Sequence, residues 1–130
     1  MEKIRILMAD DHPVVRAGIR GMLETQPDFE VIAEAEDGQE AVASASKLKP
    51  DVILMDLRMP KMEGVEAIGK IKESQPEIHI LVLTTYDTDA DIVRAVEAGA
   101  TGYLLKDAPR EELFRAVRAT ARGEAVLAPI

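Results

Sequence analysis

Short apolar runs punctuate this chain, and each is followed by a segment whose apolar residues recur every three or four positions. The runs are Ile4-Arg5-Ile6-Leu7-Met8-Ala9, Val31-Ile32-Ala33, Val52-Ile53-Leu54-Met55, Ile80-Leu81-Val82-Leu83 and Tyr103-Leu104-Leu105. Runs that stay apolar, rather than alternating with polar residues, suit strands covered on both faces, as in parallel sheets. The pattern predicts five strand-then-helix units, right-handed crossovers and a doubly wound α/β fold.

The helices mark their own ends. Pro13 stands in the opening turn of the first, where a missing N–H costs nothing, and Val14, Val15, Ile19, Met22 and Leu23 follow at helical spacing. Asp37 reads as the N-cap of the second, with Glu40 three residues on as in a capping box; this helix is expected to run to about Leu48. The third spans roughly Gly64 to Ser74, with Val65, Ile68 and Ile71 on one face. The fourth is expected to start at Asp87 or Thr88, to present Ile92, Val93 and Val96, and to stop at Gly99, a natural left-handed C′ residue. The fifth has Pro109 near its start, Glu111 and Glu112 in its first turn, and Arg118 and Arg122 towards its end, which complements the helix dipole. After Gly123 the tail reads as too short for another element, and its apolar end fits a chain cut within a longer protein.

Polar residues stand directly beyond four of the five runs: Asp10 and Asp11, Asp56, Thr84, and Lys106. Ligands of doubly wound sheets bind in the crevice beyond the carboxyl ends of the strands. Three carboxylates, a hydroxyl and an ammonium are therefore expected at one edge. Carboxylates about 5 Å apart repel by roughly 3 kcal/mol per pair at an effective dielectric near 20. Such a cluster calls for a proton or a cation, and all-oxygen ligands select a hard ion, Mg²⁺ before Ca²⁺ where carboxylates are few. Asp11 alone is as well read as a helix cap. The joint set is not, because chance would have to place complementary groups at four strand ends. An Mg²⁺ site can position a phosphoryl group, and an aspartate is a competent nucleophile towards it, giving an aspartyl-phosphate. Thr84 and Lys106 would each meet a phosphoryl oxygen. His79 falls inside the fourth strand pattern and is expected to be packed or at an edge; His12 is expected to be an exposed first-turn side chain.

Composition narrows the classes. The 130 residues suffice for one domain with a single buried core. Cysteine is absent, which excludes disulfides, thiol chemistry and thiolate metal sites. A net charge of -8 and a pI of about 4.8 argue against nucleic-acid binding by this chain itself. No apolar stretch approaches the roughly 20 residues that span a bilayer. Met1-Glu2-Lys3 runs straight into a strand, leaving no room for a signal peptide, so the chain reads as cytoplasmic.

The motifs Ala9-Asp10-Asp11-His12, Leu54-Met55-Asp56-Leu57-Arg58-Met59-Pro60, Leu83-Thr84-Thr85-Tyr86-Asp87 and Gly102-Tyr103-Leu104-Leu105-Lys106, in this order and spacing, resemble a response-regulator receiver domain. The resemblance covers about residues 3–122. It implies a flavodoxin-like (βα)5 fold with a parallel five-stranded sheet in the order 2-1-3-4-5. It also implies that Asp56 takes a phosphoryl group from a histidine kinase. Asp11 would ligate Mg²⁺ directly and Asp10 through water, with Asp56 and the backbone carbonyl of Arg58 completing the protein ligands. Thr84 and Lys106 match the phosphoryl-sensing hydroxyl and lysine, and Tyr103 the aromatic that changes rotamer. The segment 104–109 and the tail resemble the NarL/FixJ class, in which a LuxR-type helix-turn-helix DNA-binding domain follows the receiver. Residues 1–122 would then form the receiver and 123–130 the start of a linker. The resemblance further implies a switch in the surface of helix four, strand five and helix five, or of helices one and five, used for homodimerisation or for releasing the output domain.

Two departures stand out. Asp107 follows the lysine where the family often has proline joined by a cis bond. Thr85 stands where the family usually has a smaller residue beside the phosphoryl pocket, which it and the long Arg58 side chain would narrow. Rival readings are an Mg²⁺-dependent phosphatase acting through Asp56 on small substrates and a flavodoxin-like cofactor binder. Arg58 stands where the phosphatase would need an acid, and the first βα loop lacks phosphate-cradling Gly, Ser and Thr.

Overall fold

The computed structural model describes residues 2–85 and 89–127. Its strands are β1 (Ile4–Ala9), β2 (Phe29–Ala35), β3 (Val52–Met55), β4 (His79–Thr84), β5 (Gly102–Leu105) and β6 (Val126–Leu127). The helices are α1 (Pro13–Leu23), α2 (Gly38–Leu48), α3 (Gly64–Ser74), α4 (Asp89–Ala98) and α5 (Arg110–Ala121). All strand pairings are parallel, in the order β2-β1-β3-β4-β5-β6. The expected order 2-1-3-4-5 holds, and β6 extends it by one short strand. The tail expected to be too short for an element is corrected here: Val126 and Leu127 pair with Gly102 and Tyr103. Two residues carry too little hydrophobic pattern to be read as a strand, and pairing with β5 supplies what propensity does not.

Successive side chains of a strand point to opposite faces, and the core divides accordingly. On one face Leu7, Ala9, Ile53, Met55, Ile80 and Val82 pack with residues of α2, α3 and α4, such as Ala41, Ile68, Ile71 and Ala95. On the other, Ile6, Met8, Val52, Leu54, Leu81 and Leu104 pack with Ile19 and Leu23 of α1 and Leu113, Phe114 and Val117 of α5. Arg118 ties α5 to the turn before β2: its guanidinium donates to both carboxylate oxygens of Asp28, at 2.8 and 2.9 Å, and lies 4.8 Å from the centre of the Phe29 ring.

Local signals behave as read. Pro13 opens α1. The Asp37 carboxylate accepts from the Glu40 N–H at 2.8 Å, a cap whose loss costs about 1 kcal/mol. Gly99 follows α4 with φ +122°. Gly64 starts α3 where no side chain fits: a Cβ there would lie 2.3 Å from the Asp56 carbonyl oxygen.

Two helix faces differ from expectation. Val14 is 85% exposed and Val15 lies near the surface, because the first turn of α1 stands beyond the end of β1, where the apolar surface of the sheet has stopped. On α4 the core-facing stripe is Ala95, which is buried, with the half-buried Ile92 and Ala98 beside it, while Val93 and Val96 face outward. They are one step, about 100°, around the helix from that stripe. The expected start of α4 at Asp87 or Thr88 lies outside the described residues, as do Tyr86 and the last three residues of the tail. Among the described residues every peptide bond is trans, Lys106–Asp107 included. No helix among them is long and apolar enough to cross a membrane.

Candidate functional site

The sheet delivers the polar residues to one edge by continuing its own ladder. Beyond β1, the Asp10 N–H donates to the Ala35 carbonyl at 3.0 Å; beyond β3, the Asp56 N–H donates to the Ala9 carbonyl at 2.9 Å; beyond β5, the Lys106 N–H donates to the Thr84 carbonyl at 2.9 Å. Their backbones are thus fixed by neighbouring strands. A further bond from the Gly64 N–H to the Leu57 carbonyl, 2.8 Å, closes the loop after β3.

The side chains of Asp10, Asp56 and Lys106 are each only 7% exposed. The Lys106 ammonium lies 2.7 Å from Asp10 Oδ2 and 3.0 Å from Asp56 Oδ2. Burial alone would lower the lysine's pKa, but the bonds to the two acids outweigh it and raise it above the ordinary value. Burial pushes the Asp56 carboxyl up; Lys106 pulls it down, Asp10 pushes it up again, and the net direction is upward. The two partners shift in senses that do not match, since a tight ion pair alone would lower the acid. One ammonium shared between two carboxylates accounts for both: it stays charged, yet it does not offset the burial of Asp56.

Asp11 and His12 complete the cluster. The His12 N–H donates to Asp10 Oδ1 at 2.8 Å, and His12 Nδ1 lies 3.1 Å from that same oxygen. Nδ1 is also 3.1 Å from Asp11 Oδ1 and 4.0 Å from Asp56 Oδ2. One potential ligand atom from each of Asp10, Asp11, His12 and Asp56 falls within 4.8 Å of all the others. Asp11 Oδ1 is shielded from solvent and has no hydrogen-bond partner among the described residues. A solvent-shielded carboxylate oxygen without a donor is costly, and a cation resolves it. The cluster could therefore hold a metal ion.

Thr84 is buried at the end of β4, next to β5. Tyr103 is buried too, packed with the α2–α3–α4 core rather than turned to the surface. The Arg58 N–H points to Asp56 Oδ1 at a long 3.5 Å, and its guanidinium pairs with Asp91 of α4 at 2.9 Å. Thr85 is exposed and, with Val15, Leu105, Lys106 and Asp107, lines a hollow of about 300 Å³ beside the lysine. A hollow of about 530 Å³ lies elsewhere, among Arg110, Arg115 and Arg118 on α5, away from the acids. Size does not locate the chemistry here; the converging charges do.

Sequence reasoning undervalued His12, which is 61% exposed at its side chain as expected, yet turns Nδ1 onto the acids. Its place directly after Asp10-Asp11 was the available signal. Asp91 was missed altogether, because nothing in a sequence links two residues 33 positions apart through one ion pair.

Comparison with known proteins identifies the family. Residues 6–118 match the response regulator receiver domain. The uncharacterized transcriptional regulatory protein YxjL of Bacillus subtilis is 49% identical over 125 residues, which are 96% of this chain and 57% of that protein. The chain thus spans less than two thirds of that relative. The receiver domain of the response regulator NarL from Mycobacterium tuberculosis superposes with a TM-score of 0.92 at 35% identity, covering 95% of this chain and 100% of the other. A two-component response regulator of the LuxR family from Aurantimonas gives 0.93 at 37% identity, covering 98% and 91%. The chain belongs to the response regulator receiver domains of two-component systems, in the NarL/FixJ class.

Proposed function

We propose that this chain accepts a phosphoryl group on Asp56 from a histidine kinase, in an Mg²⁺-dependent reaction, and thereby switches an output surface. The observation that carries the proposal is the arrangement at the strand ends. A buried carboxylate, anchored through its own backbone, is flanked by a buried ammonium and by a second and third carboxylate able to hold a cation.

An Asp56 carboxylate oxygen attacks the phosphorus of the phosphohistidine. The P–N bond breaks as the P–O bond forms, the imidazole leaves with the electron pair, and an acyl phosphate remains on Asp56. Bound Mg²⁺ would supply neutralisation of the phosphoryl charge, which dominates catalysis of such transfers. Asp11, Asp56 and the Arg58 carbonyl would hold it. Asp10 suits a water-mediated role, because Lys106 and the His12 N–H already engage its two oxygens. Lys106 is placed to pair with one phosphoryl oxygen, and the Thr84 hydroxyl to donate to another, with Tyr103 following Thr84.

Residues 1–122 act as the receiver and 123–130 lead away from it, although Val126 and Leu127 still belong to the sheet. Output then runs through a helix-turn-helix DNA-binding portion of a longer cytoplasmic protein, with homodimerisation on phosphorylation. The name of the LuxR-family neighbour supports that reading. Turnover of small substrates is disfavoured, since the residue two beyond Asp56 is an arginine engaged by α4.

Acetyl phosphate with Mg²⁺ tests the proposal. One phosphoryl mass should appear on the peptide containing Asp56, disappear with Asp56→Asn, and fail to form when a chelator removes divalent ions. Labelling elsewhere, or multiple turnovers of the donor without a stable adduct, would refute it.

A further inference from the structure

We infer that Arg58 links the charge on Asp56 to α4 by exchanging its guanidinium between Asp91 and a phosphoryl group on Asp56. The inference rests on the phosphoacceptor reading and adds a regulatory contact to it. Arg58 belongs to both partners at once. Its backbone N–H is directed at Asp56 Oδ1, 3.5 Å away, while Nη2 reaches Asp91 Oδ2 at 2.9 Å. The residue that borders the acceptor is therefore one that ties the loop after β3 to α4.

The burial of the pair sets the direction of exchange. The Arg58 side chain is 61% exposed and that of Asp91 20% exposed. An ion pair whose arginine head lies in water is weak. A phosphoryl group brings nearly two negative charges, against one for Asp91, and its oxygens match the planar guanidinium fork. Departure of Arg58 does not strand Asp91, because Arg94 Nη1 lies 3.8 Å from its other oxygen. Phosphorylation therefore draws Arg58 towards Asp56 and loosens the tie between the loop and α4. Coupling is reciprocal: weakening the grip of Asp91 releases Arg58 to the phosphoryl group, shields that group from water and prolongs its life. Arg58 and Asp91 are positioning residues in this scheme.

The test uses the chain labelled with acetyl phosphate and Mg²⁺. Decay of the label is followed in the wild type, Asp91→Asn, Arg58→Ala, the double variant and Arg58→Lys with and without Asp91→Asn. Each decay is normalised to its own labelled fraction. Asp91→Asn is expected to lengthen the lifetime about threefold when Arg58 is present and to leave it unchanged in the Arg58→Ala background, the signature of two coupled sites. Lysine at 58 should restore part of the dependence on Asp91. Amide exchange of α4 should quicken on labelling of the wild type and already be quick in unlabelled Asp91→Asn. A lifetime indifferent to Asp91, or an equal change with and without Arg58, overturns the coupling while leaving Asp56 as acceptor. A wild type that takes no label overturns the phosphoacceptor reading and this inference together.

Discussion

Lys106 is the only ammonium that reaches Asp10 and Asp56 among the described residues, and it must serve both. This imbalance has a measurable sign. The pKa of Asp56 is raised in the fold, chiefly by burial, so the native state keeps that proton more readily than the unfolded chain. The stability it contributes is complete below the ordinary aspartate range and lost as pH rises through the raised value. In divalent-free solution Asp56→Asn should therefore be more stable than the wild type at neutral pH, by on the order of 1 kcal/mol. The gap should close in acid. Urea denaturation at the two pH values checks this, and equal stability at neutral pH would contradict it. Asp10, Asp56, Thr84 and Lys106 were legible in the sequence because each directly follows an apolar run or ends it, and strand ends converge by topology. His12 was legible only in part: its exposure was readable, the aim of its ring was not.

Between strand and helix, close packing decides what sequence can change. Gly64 presses against the Asp56 carbonyl and Leu57 Cα, so the turn after β3 and the start of α3 touch without room for a methyl group. Gly64→Ala should cost about 1–3 kcal/mol, the range for overpacking, and should also lower the extent of labelling at Asp56 by displacing its loop. Denaturation midpoints and labelled fractions measure both; an unperturbed variant would show that the turn yields freely. The helices themselves were readable from prolines, caps and periodicity. Their rotation was less so, as Val93 and Val96 illustrate. Both are apolar and helically spaced, yet the core-facing stripe runs through Ile92, Ala95 and Ala98. Hydrophobicity favoured the larger residues, whereas the close approach of α4 to the core favours alanine. The two residues of β6 carried no pattern at all.

For the molecule as a whole, the acidic cluster places unfavourable charge in a marginally stable fold. A cation bound only by the native state should stabilise it by RT ln(1 + [L]/Kd), about 1.4 kcal/mol at ten times Kd. Titrating Mg²⁺ should therefore raise the unfolding midpoint of the wild type and raise it much less in Asp11→Asn. An equal rise in both would place the ion elsewhere. The sheet has a second molecular consequence, at its two flanks. β2 carries the exposed Glu30 along one flank, and β6 offers two residues of backbone among the described residues on the other. Charge and brevity both discourage a foreign strand from docking onto such a border. Copies of this protein that associate must then meet through helix side chains, which a change of charge can reverse, and not through an open-ended backbone seam of the kind that seeds fibres.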